Sequence, residues 1–510
     1  MNISKTNNFK SIIFLFIFFS TLCLSTGIAI AQKTTSSPYS RYGVGDIDGK
    51  VFGQGFALGG THIALQNDTT QMFFINNGNP ASYVNMRLVT AELGAKYSRL
   101  TLQSTDAKKT INNASLAYIS LAFPIKKWWG TSVGLIPFSS VGYKVSDEQE
   151  ITNVGTVKYL YEGSGGINQV YFGNGIKPLY GLPRNYLLSS KYKTLKSLKH
   201  ADNSPKTCRE TFVDRNKIRK TYNRKRFMQS LALGANASYL FGNMENTRRS
   251  IFPSTLYAFN TRTGTSTRID GLYFDYGMQM AYTFDSLKTK VGADSCHPYR
   301  FRDLKENVKV MFGVTFASEK KMDATIDSLS YSYFNNSLGY EIVKDTIENT
   351  KGSKGKITLP LSIGFGIGIK KGEKWMIAAD VAIQNWSTYN AFGQSQGLRN
   401  SLRTSLGAQF IPDPKPNASY LKRIHYRIGV RYLQTAIELK NTPLNEYGAS
   451  LGFGFPVGRS YILQNFSMVN IGVEVGQRGT TTNGLIKENY IKATVGFTIN
   501  DRWFQQPKFD

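Results

Sequence analysis

The residues best suited to chemistry are few and scattered. Four histidines, His62, His200, His297 and His425, are spread over 510 residues. Nucleophilic catalysis needs a Ser–His or Cys–His pair held by a third group. No spacing in the chain suggests one, so neither enzyme activity nor a cofactor is expected. Cys23 lies in an apolar run, and "STLC" lacks the small residue that lipidation takes just before its cysteine. Cys208 and Cys296 leave three alternatives open: a disulfide, two free thiols, or a Cys₂His₂ site with His200 and His297. The spacing is not that of a compact zinc finger, and no metal is expected. The glycine-rich "GFGIGIKKG" (Gly364 to Gly372) has the look of a phosphate loop. No helix pattern follows it, and Ile363, Phe365, Ile367 and Ile369 alternate as in a strand. Gly364, Gly366 and Gly368 then either form a side-chain-free track that admits another backbone, or serve the curvature of a wall.

The remaining charged candidates share one position in a repeating pattern. In "VTAELGAKYSRL", Val89, Ala91, Leu93, Ala95 and Tyr97 fall on one face, and Glu92 and Lys96 on the other. The same period of two recurs in "MIAADVAIQ", "SLRTSLGAQF", "YRIGVRYL", "VNIGVEVGQ" and "IKATVGFTI". Asp380, Arg403, Arg427, Arg431 and Glu474 again lie on the polar face. Strands with one apolar face and a charged opposite face suit a barrel that crosses a bilayer with lipid outside and a polar lumen within. Such charges are expected to form a satisfied ion-pair lattice, since buried charges are usually paired.

Fourteen strands are expected, near 87–103, 114–125, 131–146, 167–178, 229–244, 271–284, 307–327, 356–370, 375–390, 400–411, 424–439, 446–457, 467–478 and 488–500. The fold class is therefore all-β: a fourteen-stranded antiparallel transmembrane barrel. An even count puts both barrel ends on the periplasmic side, with short turns there and longer loops outside. Trp128, Trp129, Trp375 and Trp503 are expected at the periplasmic end, as part of an aromatic girdle. In "VNIGVEVG", Val473 should face lipid and Glu474 the lumen.

Lys5 and Lys10, the apolar run Ile12 to Leu24 and Ala29-Ile30-Ala31 fit a signal peptide over residues 1–31. The formal charge is +28, or +26 without those two lysines. It points to anionic neighbours, with membrane lipid and lipopolysaccharide favoured over nucleic acid for an exported chain. Two long inserts, 180–226 and 286–306, fall on the periplasmic side by strand parity. From Lys177 to Arg226 there are fifteen Lys and Arg against three Asp and Glu. That stretch is either a solvated insert or a docking surface for an acidic partner.

Residues 32–86 precede the first strand and carry seven glycines between Gly43 and Gly60. Within "FALGGTHIALQNDTTQMFFINNGNPASYV" the triplet Asn79, Pro80, Ala81 makes either a plain turn or a specialised one. The stretch resembles the hatch of the FadL family, outer-membrane transporters of long-chain fatty acids and hydrocarbons, whose hatch carries an Asn-Pro-Ala motif. "SPYSRYGVGD" and "NDRWF" resemble a branch of that kind seen in Bacteroidota. The resemblance implies an N-terminal hatch over 32–86 inside a barrel over 87–504, followed by a tail over 505–510. It also implies passive uptake of a hydrophobic small molecule at the cell outer membrane. The third outer loop, Glu245 to Asp270, carries Phe252, Leu256, Tyr257 and Phe259 but is otherwise polar, unlike a fatty-acid groove. The alternative is a non-transporting accessory or scaffold barrel in an outer-membrane complex, such as a secretion machine, with a periplasmic or outer-membrane protein partner.

Overall fold

The computed structural model describes residues 36–49, 51, 53–67, 74–180, 227–253, 258–284, 287–289, 299–301, 308–336, 338–415, 417–460 and 465–501. A two-residue strand β1 (Asp46–Ile47) precedes the wall. The wall then runs through β2 (Val89–Gln103), β3 (Lys108–Lys126), β4 (Trp129–Ile151), β5 (Gly155–Ile176), β6 (Ala232–Ile251) and β7 (Asn260–Phe284). A minor hairpin, β8 (Leu287–Thr289) with β9 (Tyr299–Phe301), follows. The wall resumes with β10 (Val308–Ala317), β11 (Lys320–Asn335), β12 (Glu341–Leu359), β13 (Ser362–Lys371) and β14 (Trp375–Gln384). After the small strands β15 (Asn390–Ala391) and β16 (Gln394–Ser395) come β17 (Ser401–Phe410), β18 (His425–Leu439), β19 (Thr442–Ser460), β20 (Asn465–Arg478) and β21 (Lys487–Asp501). β10 with β11, and β12 with β13, each make one broken stave, which gives fourteen antiparallel staves. The last closes on the first, from Val89 opposite Asp501 to Gln103 opposite Lys487.

The alternation of residue types sets the facing. Val473, Ile471 and Val475 are exposed, whereas Glu474 between them is 3% exposed. Exposed Leu, Ile, Val and Phe ring the outer face of the staves, such as Phe172, Leu272, Phe365, Ile428 and Phe497. An apolar belt facing outward, over polar residues facing inward, is stable where the solvent is lipid. Val473→Arg is accordingly expected to destabilise the barrel by ~2–4 kcal/mol, and Glu474→Gln by much less, in urea titration of the protein in lipid. Equal losses would contradict this register.

Several expected extents are corrected. The polar stretch Glu245 to Asp270 is mostly strand, with Glu245 paired to Ser266 and Arg249 to Arg262. Only residues 252–259 connect β6 to β7, and 254–257, including Leu256 and Tyr257, lie outside the described residues. Beyond the bilayer both faces of a strand meet water, so alternation vanishes while Thr- and Tyr-rich β propensity persists. The strands expected at 114–125 and 167–178 begin earlier for the same reason, at Lys108 and Gly155. The stave expected at 375–390 ends at Gln384, because residues 385–400 turn into the lumen. Trp128, Trp129 and Trp375 share the end that carries the first residue of β2 and the last of β21, as expected. The two long inserts, within 177–231 and 285–307, connect staves at that end, as strand parity implies; connections such as 127–128 and 372–374 there are short, whereas the opposite end mixes tight turns such as 152–154 and 440–441 with the longer 385–400.

Two features shape the wall. β4 to β7, β11 and β12 rise well beyond the other staves. β3 pairs with β4 only from Ile119 opposite Leu135 down to the turn. Above that point β4 continues on β5 alone, and β1 pairs with it at Ser139 and Ser140. A seam therefore separates β3 from β4.

Candidate functional site: the filled lumen

The chain before β2 lies against the inner face of the wall, and a close fit holds it there. Gly59 and Gly60 turn it through left-handed backbone, with φ of +67° and +83°. A side chain at Gly59 would run into the Val430 backbone 2.7 Å away, and one at Gly60 would overlap the Arg403 guanidinium. Only glycine meets both demands. Gly59 N–H donates to Ser450 Oγ at 2.9 Å, and Ser450 donates to the Ala57 carbonyl at 3.1 Å.

Asn79 opens a 3₁₀ turn over Pro80–Asn85 and accepts from the Ala81 N–H. Its amide also donates to the Ile63 carbonyl at 2.7 Å, so the motif braces the segment against itself. Gly277 faces the Asn79 side chain, Gly234 faces Pro80 and Ala81, and Gly175 faces Pro80 and Val84. Each is a wall position where a Cβ would collide. Of the expected glycine track, Gly364 and Gly366 meet Ile63 and Ala64 of the segment, but Gly368 meets only Met311, Ala378 and Ile377 of the wall. Sequence reasoning missed the glycines under the motif.

The expected lumen charges all point inward, and they divide into separate tasks. Asp380 Oδ2 accepts from the backbone N–H groups of His62 and Ile63 at 2.6 and 2.9 Å. Arg403 donates to the Gly60 carbonyl at 2.7 Å, and Glu92 accepts from Thr498 at 3.0 Å and Ile75 N–H at 3.3 Å. Lys96 pairs with Asp48 of the segment. Arg427 spans neighbouring staves, donating to Gln409 at 2.8 Å and Asn470 at 2.7 Å. Arg431 binds Glu446, Glu474 and the Tyr490 hydroxyl. A second arginine, Arg478, was not singled out from sequence. It joins Asp46 at 2.7 Å to Glu488, and it reaches Ser37. Arg478 follows the same inward parity as Glu474, but it stands at the strand end, where the pattern fades. Tyr39 donates to the Ile486 carbonyl at 2.6 Å, and burial pushes its phenol up to about 12. Five cations and five carboxylates surround a cavity of about 340 Å³ between the segment and the wall, which adjoins the seam.

Toward the tight turns, the side of the lumen lined by the tall staves is apolar, next to the Arg478 and Arg431 ion pairs at the same level. Trp386, Tyr389 and Leu398, from residues 385–400, pack there with Val44, Tyr143 and Leu240. The chain's own side chains occupy the space. Cys23, His200, Cys208, Cys296, His297, Trp503, the expected signal peptide 1–31 and tail 505–510, and most of both inserts lie outside the described residues.

A closed antiparallel barrel with an apolar outer belt and a filled, charge-paired interior defines a membrane-spanning β-barrel protein of the outer-membrane type. The chain belongs to the BamG family, whose model matches residues 10–185 and 189–510. No curated protein matches it. Among solved structures, a FadL homologue from Pseudomonas aeruginosa is 9% identical, with 90% of this chain and 99% of that one covered at a TM-score of 0.48. The toluene transporter TodX of P. putida is 12% identical, with 90% and 100% covered and a TM-score of 0.47. The monoaromatic hydrocarbon channel CymD is 12% identical, with 90% and 99% covered and a TM-score of 0.43.

Proposed function

We propose that the protein is a non-conducting accessory barrel of an outer-membrane protein complex, with residues 32–86 as its internal hatch. The filling of the lumen by the chain's own side chains carries this reading. Uptake of an apolar molecule calls for a continuous apolar tunnel. Here an apolar cluster closed by Trp386 and Tyr389 stands beside a lattice of ion pairs, and both flank one charged cavity. The family name, BamG, hints at a BAM-associated setting and agrees with an accessory role. On this reading the inserts 180–226 and 286–306 face the periplasm, where the basic one suits an acidic protein surface.

Passive uptake of hydrophobic small molecules is the second reading. The seam between β3 and β4, beside the cavity, favours it. Affinity purification from native membranes and hydrocarbon uptake into proteoliposomes separate the two. The accessory reading expects a stoichiometric protein partner and no uptake above empty liposomes. A protein that isolates alone and admits hydrocarbon overturns it. Deleting residues 32–86 is further expected to raise liposome permeability to small polar solutes. No rise would remove the hatch assignment.

A further inference from the structure

Above the seam, β4 has an open edge. From Tyr143 to Ile151 it pairs, among the described residues, with β5 alone, in one unbroken register that ends at Ile151 opposite Gly155. β3 leaves it below, at Leu135, and the outward apolar residues Val133 and Leu135 end there too. Lys144 and every residue from Ser146 to Glu150 are exposed. In an antiparallel strand, alternate residues direct N–H and C=O to the same side. Gly142 turns both away from β5: its N–H donates to Ser40 Oγ at 3.0 Å, and its carbonyl accepts from that hydroxyl at 3.2 Å. Lys144, Ser146, Glu148 and Glu150 follow in the same phase, so their backbone groups form a ladder that no described strand occupies. Directly below, this edge already takes a strand. β1 sets Asp46 opposite Ser140 and Ile47 opposite Ser139, and Asp48 N–H donates to the Phe138 carbonyl at 3.0 Å.

The other open edge of the tall staves is defended. From Glu341 to Gly355, β12 pairs with β11 alone, through three register shifts. It carries the left-handed Gly352 and the lysines Lys344, Lys351 and Lys354. Bulges and lysines are the means by which an edge avoids adding a strand. β4 over 143–151 has an unshifted register, and its one lysine, Lys144, is tied to Glu162 at 2.7 Å. The hairpin it forms with β5 is acidic instead. Between Tyr143 and Gly163, four carboxylates stand against two lysines, a net of −2 in a chain of +28. Lys158 takes Glu148 at 3.0 Å. Asp147 bonds only to Gln149 and Glu150 only to Thr156, so both keep their charge uncompensated. By strand parity the two lie on opposite faces of the sheet.

We propose that residues 143–151 of β4 accept an added strand from a protein partner, and that this strand is basic, with cations beside Asp147 on one face and Glu150 on the other. Backbone pairing at an open edge supplies the hold, and charge supplies the choice of partner. The proposal rests on the accessory role above and names the surface through which it is exercised.

Amide exchange of the full-length protein is read residue by residue in native outer-membrane vesicles and again after purification alone. The amides of 145, 147 and 149, directed at β5, are expected to exchange slowly in both. Those of 144, 146, 148 and 150 are expected to be slow in the vesicles and fast in the purified protein. Fast exchange of these four in vesicles overturns the proposal. Slow exchange in the purified protein means that β3 or a second copy closes the edge, and overturns it equally. A photo-crosslinker at Glu148 should capture, in the vesicles, a segment with more Lys and Arg than Asp and Glu; an acidic segment overturns the charge assignment. Ser146→Pro removes an N–H that β5 does not use, at an edge position where proline is tolerated. The heat-modified gel shift should therefore persist, while recovery of the crosslinked segment falls on the order of tenfold. Asp147→Lys with Glu150→Lys should lose roughly fivefold per charge, and Lys351→Glu with Lys354→Glu on β12 should change nothing. A partner retained equally by wild type, Ser146→Pro and the charge-reversed pair overturns the edge and leaves the accessory role standing. A protein that isolates without any partner, with the four amides fast in vesicles, overturns both.

Discussion

Gly429→Val unseats the inner segment. A Cβ at position 429 would overlap the amide nitrogen of Gly59 and lie 2.7 Å from its Cα. Gly59 has no easy sideways shift, because its left-handed turn is pinned through Ser450 and already lies against the Val430 backbone of the same stave. Overpacking of side chains costs ~1–3 kcal/mol, and here the collision is backbone on backbone, so a loss of ~3 kcal/mol or more is expected. The midpoint of unfolding in urea should fall accordingly, and the surviving barrel should leak small polar solutes. Gly368→Ala is the control. Its added methyl meets the Met311 terminal carbon at 2.9 Å, the movable end of a flexible side chain, and should change little. Matching losses from the two variants would mean that wall curvature, not contact with the segment, accounts for these glycines.

Arg431→Met is expected to cost ~3–5 kcal/mol, the usual result of stranding buried charge by removing one partner. Arg431 neutralises both Glu446 and Glu474, which are 5% and 3% exposed. Adding Glu446→Gln and Glu474→Gln should recover most of the loss, since an uncharged set no longer strands anything. The coupling energy from a full mutant cycle is the measurement. If the triple variant is as unstable as Arg431→Met alone, the guanidinium acts through packing and not through its charge.

The wall was legible wherever a strand separates lipid from a polar interior. Val473 and Glu474 differ so sharply in environment that their alternation fixes the register. It failed where both faces meet the same solvent, as in the rise of β6 and β7 past Glu245. The inward charges were legible by parity, yet their partners were not. Asp380 holds two backbone amides of residues 62 and 63, and no spacing along the chain announces a contact across more than 300 residues. Glycine was the least informative residue. Gly366 and Gly368 read identically in sequence, but one touches the segment and the other does not, and Gly234 and Gly277 gave no signal beyond that of any strand glycine. The Asn79-Pro80-Ala81 turn could be found because its capping chemistry is local. The 385–400 connection was hidden because Trp386 and Tyr389 look like rim aromatics and pack instead as core.

The placement of the inner segment bears on how the barrel can form. Its anchors come from nearly the whole chain: Asn79 to Met278 spans 199 residues, and Gly59 to Ser450 spans 391. The closing pair, β2 with β21, joins the two ends of the wall. Contacts of such high order form slowly, because the entropy of closing long loops comes before any reward. A segment that offers backbone groups to staves on many sides gives the arriving strands a shared template before the ring is shut. Loss of residues 36–86 should then slow assembly in lipid even where the finished wall is stable, and a segment supplied in trans should restore the rate only if it is present before closure.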